Sequence, residues 1–484
     1  MNKELRRVSI VVLLMFIALF TSTSIIQVFQ QDSLKADSRN VRTLYASFSA
    51  ERGPILVDGE PVAVSVPVDD PYKFQREYTN GPLYSSVTGY FTLNQGNTGV
   101  EGALNDYLTG TANEQFLDQL NSLITGQDPK GAAVELTIDP AVQQAAWDAL
   151  GDQKGAVVAL DPKTGAILAM VSKPAYDPSG LATHDAAEFR ATYDSLISDP
   201  DDPLINRAIS GDLNPPGSTF KLVVATAALE NGLTPDTTFP NPGTLTLPQS
   251  SAVITNAEGG ACGGGSTATI ATALRLSCNI PFAQLGVRLG YPAIAEQARE
   301  FGFGDDDLGI PMRVEPSVYP PVASDAELML SSFGQASDRV TPLQMAMVSA
   351  AVANGGQLMR PTVIDTISAP DLSVIEAFEP EVYSTPMSAE TAATMNQLMV
   401  QGVANGAASN ARISGVDVAG KTGTAENGDG EPYTLWFTGF APADDPQVAV
   451  AVVVENGGGL GQSGFGNLVA APIARTVMEA VLNR

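Results

Sequence analysis

The chain has 484 residues, 44% of them hydrophobic, which is room for about three globular units at ~150 residues each and too apolar for disorder throughout. Its 26 Lys+Arg against 53 Asp+Glu leave a net charge of −27, a field that repels DNA and RNA, so nucleic acid is excluded as a partner. One histidine and two cysteines, Cys262 and Cys278, cannot build a His/Cys zinc cage or an iron–sulfur site, and the histidine, His184, lies in the polar run 183–188 that suits a surface loop.

In chain order, Lys3, Arg6 and Arg7 precede an uncharged run of 24 residues, Val8 to Gln31. That exceeds the ~20 apolar residues a bilayer-spanning helix needs. No Ala-x-Ala site follows, which favours an uncleaved anchor over the alternative, a cleaved signal peptide. Positive charge on the N-terminal side places that end in the cytoplasm and everything from Asp32 outward beyond the membrane, where disulfides persist. The expected localisation is the cell membrane, single-pass. Residues 32–131 read as a small, β-rich or irregular membrane-proximal module, with a helical period at Glu114 to Leu123 and a turn-forming linker at Gly126 to Gly131. From 132 to 484 the texture changes. Asp139-Pro140 opens an amphipathic helix through Leu150, and Gly155–Asp161 and Ala166–Ser172 flank the turn at Pro162 to Gly165 as a β-hairpin. Helices dominate after Ser218, and Thr341-Pro342-Leu343-Gln344 supplies an N-cap, a first-position proline and a capping-box glutamine for a helix closed by Asn354-Gly355. Leu435–Ala441 and Val448–Val454 read as strands before a last helix at about 471–482. Strands at both ends of one domain with helices between them predict an antiparallel sheet built from distant segments, an α+β layered fold.

The chemistry is expected at Pro215-Pro216-Gly217-Ser218-Thr219-Phe220-Lys221. Ser218 and Lys221, three apart at a helix start, stack on one face. The helix N-terminus favours a developing alkoxide, and a lysine one turn deeper can be desolvated into a neutral base, so the pair works without histidine. A capping serine followed by a surface lysine is the plain structural alternative. Against it, the chain has nine lysines and this is the one Ser-x-x-Lys spacing. Downstream come Ser277-Cys278-Asn279, able to relay a proton and hold a substrate backbone, and Lys421-Thr422-Gly423-Thr424, a cation and two hydroxyls for a carboxylate with a glycine for close approach. Lys163-Thr164-Gly165 also reads K-T-G, but it sits in a hairpin turn and is taken as structural.

These motifs, together with Glu51-Arg52-Gly53-Pro54-Ile55, Thr137-Ile138-Asp139-Pro140, Gly334-Gln335 and Trp436-Phe437-Thr438-Gly439, make the chain resemble the class B penicillin-binding proteins. Those are membrane-anchored serine D,D-transpeptidases of peptidoglycan synthesis, and the modest length and short N-terminal module look like their actinobacterial PbpA type. The resemblance implies a penicillin-binding, serine β-lactamase-like transpeptidase domain over 132–484, a membrane-proximal domain over 32–131 and a cytoplasmic tail and transmembrane anchor over 1–31. It implies that Ser218 attacks the terminal D-Ala-D-Ala bond of a stem peptide and Lys221 takes its proton. The N–H groups of Ser218 and Thr424 would form the oxyanion hole. Ser277 would pass the proton on, Asn279 would orient the peptide, and Lys421, Thr422 and Thr424 would hold its carboxylate. β-Lactam antibiotics would acylate the same serine, no cofactor or metal is needed, and the implied membrane partner is a SEDS-type glycosyltransferase. The cysteine inside the S-x-N motif departs from the family pattern.

Three rivals stay open at this stage. Gly415 to Thr422 matches the P-loop pattern G-x-x-x-x-G-K-T, but Asn410–Ser414 is no apolar strand and Glu426–Gly430 no helix. A β-lactamase or D,D-carboxypeptidase would share the Ser/Lys pair. Glu315-Pro316 echoes the deacylating glutamate of class A lactamases, although Tyr319 stands where that motif places Asn. A non-catalytic penicillin-binding scaffold is the third. Cys262 and Cys278, outside the membrane and joined by a bendable Gly- and Thr-rich stretch, are expected to form a disulfide. The alternative is a buried Cys278 with a free thiol at Cys262.

Overall fold

The structure, a computed structural model, describes residues 2–26, 50–92, 95–115, 130–211, 213–257, 259–308 and 310–484. Residues 116–123 of the expected helical period, 126–129 of the linker and 27–31 of the uncharged run lie outside them; Glu114 sits in the short 3-10 turn Asn113–Gln115. The N-terminal helix Asn2–Ser24 contains an 18-residue window of mean hydropathy 1.9, and its 22 residues Lys3–Ser24 are long and apolar enough to cross a bilayer.

Two sheets organise the rest. In chain order the strands are β1 Ile55–Val57, β2 Glu60–Pro67, β3 Phe74–Tyr78, β4 Ala133–Leu136, β5 Gly155–Leu160, β6 Ile167–Lys173, β7 Ile364–Ser368, β8 Val374–Ala377, β9 Ala419–Ala425, β10 Thr434–Ala441 and β11 Val448–Val454. The first sheet runs β8-β7-β4-β1-β2-β3. Asp58 and Gly59, both with positive φ, make the two-residue turn between β1 and β2, the Asp-Gly turn whose twist suits a hairpin. This sheet joins β1 to β4 in parallel and β4 to the later strand β7 antiparallel. Beneath it, Glu101 is fully buried between Arg52 and Arg76, with Nε–Oε distances of 2.5 and 2.7 Å. Burial alone pushes the Glu101 carboxyl up, but Arg76 and Arg52 outweigh it and hold it below its ordinary value. The neighbouring Gly53 has no room for a side chain, since a Cβ there would lie 1.8 Å from Ala132 O.

The second sheet, antiparallel throughout, runs β9-β10-β11-β5-β6. Its strands β5, β10 and β11 are buried on both faces, which is why they read as largely apolar runs rather than alternating ones. The two-residue period still sorts their side chains. Val450, Val452 and Val454 join the core under helices Pro140–Leu150 and Ala470–Leu482, while Ala449, Ala451 and Val453 join the core holding helix Pro342–Ala353. That last helix is apolar all round and buried all round, and its Ser349 hydroxyl meets Thr438 Oγ1 at 2.6 Å.

The expected helix starts hold: Asp139 Oδ1 accepts from Ala141 and Val142 N–H, and Thr341 Oγ1 from Gln344 N–H. The reciprocal half of the capping box does not form. Thr341 N–H is taken by Ser317 Oγ, and the Gln344 amide reaches Phe301 O at 2.7 Å instead. His184 precedes helix Ala186–Ile197 in a loop, with Nδ1 2.5 Å from Asp70, just beyond β2.

Candidate active site

Three segments converge at the open edge of β9. The first is the turn Gly217–Phe220, which runs directly into helix Lys221–Glu230 and ends at Asn231-Gly232. Gly217 adopts φ 53°, and its N–H donates to Gly334 O at 2.9 Å. A Cβ at Gly334 would sit 1.9 Å from Gly217 O, so only glycine allows this loop to brace the serine turn. The second is the turn between helices Ile270–Arg275 and Asn279–Leu289, where Ser277 sits at φ 61°, a left-handed conformation its β-carbon resists. The third is β9, whose successive side chains point to opposite sides, Lys421 and Gly423 to one and Thr422 and Thr424 to the other.

Lys221 Nζ lies 2.9 Å from Ser218 Oγ and donates at 2.8 Å to both Ser277 O and Asn279 Oδ1. Its side chain is fully buried, flanked by the rings of Phe282 and Phe333. Burial first, and the facing Lys421 second, hold its ammonium well below the ordinary lysine value. Lys421 Nζ donates to Ser277 Oγ at 2.7 Å and to Thr422 O at 2.8 Å, and burial pushes it down to about 7. The two lysines therefore divide Ser277 between them, one on its carbonyl and the other on its hydroxyl. Ser218 itself remains partly exposed.

The residues expected to carry the chemistry, Ser218, Lys221, Ser277, Asn279 and Lys421 to Thr424, meet here, with two differences of detail. Thr422 is buried and its hydroxyl donates to Ala407 O at 3.1 Å, whereas Thr424 is partly exposed and its Oγ1 accepts from Gly466 N–H at 3.2 Å. Gly423 serves packing: a Cβ would lie 2.8 Å from Pro216 O and 3.0 Å from Trp436 Cβ. Sequence reading noted Gly334 and Trp436 only as parts of resemblance motifs, without their contacts here (Trp436 Nε1 donates to Pro215 O at 2.9 Å), and missed Gly466 and Asn256; all four touch the three segments from remote positions. Asn256 in Ile254-Thr255-Asn256, a polar residue between two strands, carries no local signal of its partner.

Cys262 and Cys278 are disulfide-bonded, with Cα atoms 5.8 Å apart. Lys163 lies outside the site, in an exposed ion pair with Asp445 at 2.6 Å. Lys421 lies within a strand and not at a helix start, which removes the P-loop reading. Glu315 is exposed, and Tyr319 is stacked between Phe220 and Tyr291.

Among known proteins, residues 155–479 match the penicillin binding protein transpeptidase domain and residues 52–134 the penicillin binding protein A dimerisation domain. The peptidoglycan D,D-transpeptidase PbpA of Mycolicibacterium smegmatis is 41% identical over all of this chain and 99% of its own length. Among solved structures, the ceftriaxone acyl-enzyme complex of penicillin-binding protein A from Mycobacterium tuberculosis superposes with a TM-score of 0.87 at 40% identity, over 90% of this chain and 100% of that one. The penicillin G acyl-enzyme complex of the same protein gives 0.84 at 40% identity over the same shares. Ser218, Lys221, Ser277, Asn279 and Lys421 thus converge within a domain matched along most of its length, and the chain belongs to the penicillin-binding protein transpeptidase family.

Proposed function

We infer that the chain is a membrane-anchored serine D,D-transpeptidase that cross-links peptidoglycan stem peptides through an acyl-enzyme on Ser218 and is acylated there by β-lactams. The observation that carries this reading is the 2.9 Å approach of a fully buried Lys221 Nζ to Ser218 Oγ. A lysine depressed by burial is neutral often enough to accept the serine proton. Ser218 Oγ then bonds the carbonyl carbon of the terminal D-Ala-D-Ala link, and the oxyanion is met by the N–H groups of Ser218 and Thr424. The C–N bond breaks and D-Ala leaves with a proton delivered through Ser277 while the serine proton stays on Lys221; the amine of a second stem peptide then displaces Ser218 from the ester, its proton returning through Ser277 and Lys221 giving Ser218 back its own. Because Ser277 Oγ is bonded to Lys421, the proton reaching the leaving nitrogen through Ser277 comes from the Lys421 side, and Lys421 shares work between that transfer and the substrate carboxylate. Thr424 is the better-placed hydroxyl for that carboxylate, since the donor of Thr422 is engaged by Ala407. Asn279, bonded to Lys221, orients the peptide. The chemistry asks for no cofactor.

Residues 1–31 form the cytoplasmic tail and anchor, 32–131 the membrane-proximal domain and 132–484 the transpeptidase domain; Lys3, Arg6 and Arg7 support a cytoplasmic N-terminus. The family resemblance and the apolar helix support a SEDS-type glycosyltransferase as membrane partner. The exposed Glu315 argues against a lactamase. The test uses the full chain in detergent with labelled penicillin and, separately, a stem pentapeptide plus an acceptor amine. The expected result is slow release of penicillin and D-Ala release coupled to amide formation. Rapid penicillin hydrolysis would mean a lactamase, D-Ala release without coupling a carboxypeptidase, and no acylation a scaffold.

A further inference from the structure

The helix Asn279–Leu289 has no cap of its own. Its capping position is Cys278, which is committed to the disulfide and accepts no backbone N–H. The first N–H groups of a helix have no partner inside it and must find one elsewhere. Here the partner comes from 23 residues upstream: Asn256 Oδ1 accepts from Asn279 N–H at 3.0 Å and from Ile280 N–H at 3.1 Å. Asn256 is 3% exposed, and its amide nitrogen donates to Gly260 O at 3.0 Å and faces Asn241 Oδ1 at 3.5 Å. Asn241, also buried, grips the other arm of the disulfide, accepting from Cys262 N–H and donating to Cys262 O and Gly265 O. Two buried amides and one disulfide therefore close a circuit around the Ser277 turn.

What the circuit holds is a conformation that does not hold itself. Ser277 is left-handed, and such a residue persists where its surroundings over-determine it. The disulfide fixes the chain at Cys278, and the Asn256 cap fixes it at Asn279 and Ile280. Ser277 O and Asn279 Oδ1, on either side of Cys278, are both 2.8 Å acceptors of Lys221 Nζ.

We propose that Asn256 is a positioning residue for acyl transfer: by capping Asn279 and Ile280 it keeps the two neutral acceptors of Lys221 in place and so keeps the amine aimed at Ser218 Oγ. The inference rests on the reading of Ser218 and Lys221 given above. Among the described residues, the titratable group facing Lys221 is Lys421 on β9; Ser218, Ser277, Asn279, Phe282 and Phe333 meet it as neutral groups. Asn256 likewise meets neutral partners in Asn241, Gly260, Asn279 and Ile280. A charge placed at 256 would therefore act on Lys221 without a nearby counter-charge from these contacts.

The test compares Asn256→Leu, which removes the acceptor, with Asn256→Asp, which keeps an oxygen toward both N–H groups, adds a negative charge and gives up only the amide donor toward Gly260 O and Asn241 Oδ1. Penicillin acylation of the full chain is followed by stopped flow across pH, separating the acylation step from initial binding. Asn256→Leu is expected to slow the acylation step about tenfold or more while changing the binding constant less than about threefold, the split that a lost alignment produces. Asn256→Asp is expected to come back to within about threefold of the parent on the alkaline plateau, with its acid limb moved up by about half a pH unit or more, because a carboxylate favours the lysine ammonium. Acylation in a folded Asn256→Leu within about twofold of the parent would overturn the proposal, as would an unmoved acid limb in Asn256→Asp. Should Asn256→Leu fail to fold, the aspartate variant decides alone. Ser218→Ala runs alongside: if it still labels, the nucleophile assignment falls and the proposal with it; if it does not, unaffected Asn256 variants overturn the proposal only.

Discussion

Burying two lysines in one network has a thermodynamic signature as well as a catalytic use. Lys421 sits at about 7 in the folded protein and would return to ~10.4 on unfolding. Between those values the unfolded chain binds a proton that the folded chain does not. Stability therefore rises with pH across that window, and the penalty is complete below it. Lys421→Met should accordingly raise the unfolding free energy by about 1 kcal/mol or more near neutral pH and flatten the alkaline rise, even as acylation slows. Urea titrations at about pH 7 and about pH 9 check this, and an unchanged or lower stability would mean that the bonds to Ser277 Oγ and Thr422 O repay the burial. At this scale the sequence is informative where chemistry and spacing coincide locally, as at Ser218 and Lys221. It is silent where a residue acts on a distant segment: nothing around Gly334 announces that Gly217 O will approach it, nor around Asn256 that it will cap a helix.

Elements were legible in proportion to the regularity of their patterns. The hairpin β5–β6, strands β10 and β11, and the caps at Asp139 and Thr341 follow from alternation, apolar runs and capping chemistry. Gln344 departed because its helix is buried all round, so that a backbone carbonyl of the core, Phe301 O, became its partner. The disulfide element carries a prediction of its own. Its loop closure is worth ~3 kcal/mol on the entropic account, yet it also restrains the turn bearing Ser277 and Asn279. Reduction should therefore lower the acylation rate more than it lowers helix content by circular dichroism, and equal losses would assign it to the fold alone. The buried Arg52–Glu101–Arg76 cluster carries another. Because Glu101 is held below its ordinary value, the stability it contributes is present above the unfolded carboxylate range and lost as pH falls through the folded value. Glu101→Gln should destabilise the chain by about 3 kcal/mol near neutral pH by leaving two buried guanidinium groups short of a counter-charge. Chemical denaturation would show it, and a loss under about 1 kcal/mol would contradict the cluster's structural role.

For the whole molecule, the α+β layering and the gathering of strands from both ends of the second sheet were readable, because apolar runs at 155–172 and 434–454 needed one another for burial. The first sheet was not. Its β7 and β8 are short, partly exposed and distant in sequence from β4, so neither alternation nor proximity marks them as its partners. That sheet ties 55–78 to 133–136 and 364–377, which gives the N-terminal region a hydrogen-bonded connection to the body carrying the site. The whole arrangement, with its apolar N-terminal helix, its braced serine turn and its two buried lysines, turns on one atom. The most direct measurement is mass-spectrometric mapping of the adduct formed when the full chain meets a labelled penicillin, repeated with Lys221→Ala and Lys163→Ala. The account predicts a single adduct on Ser218, lost with Lys221→Ala and kept with Lys163→Ala, whereas an adduct on any other residue, or equal behaviour of the two lysine variants, would contradict it.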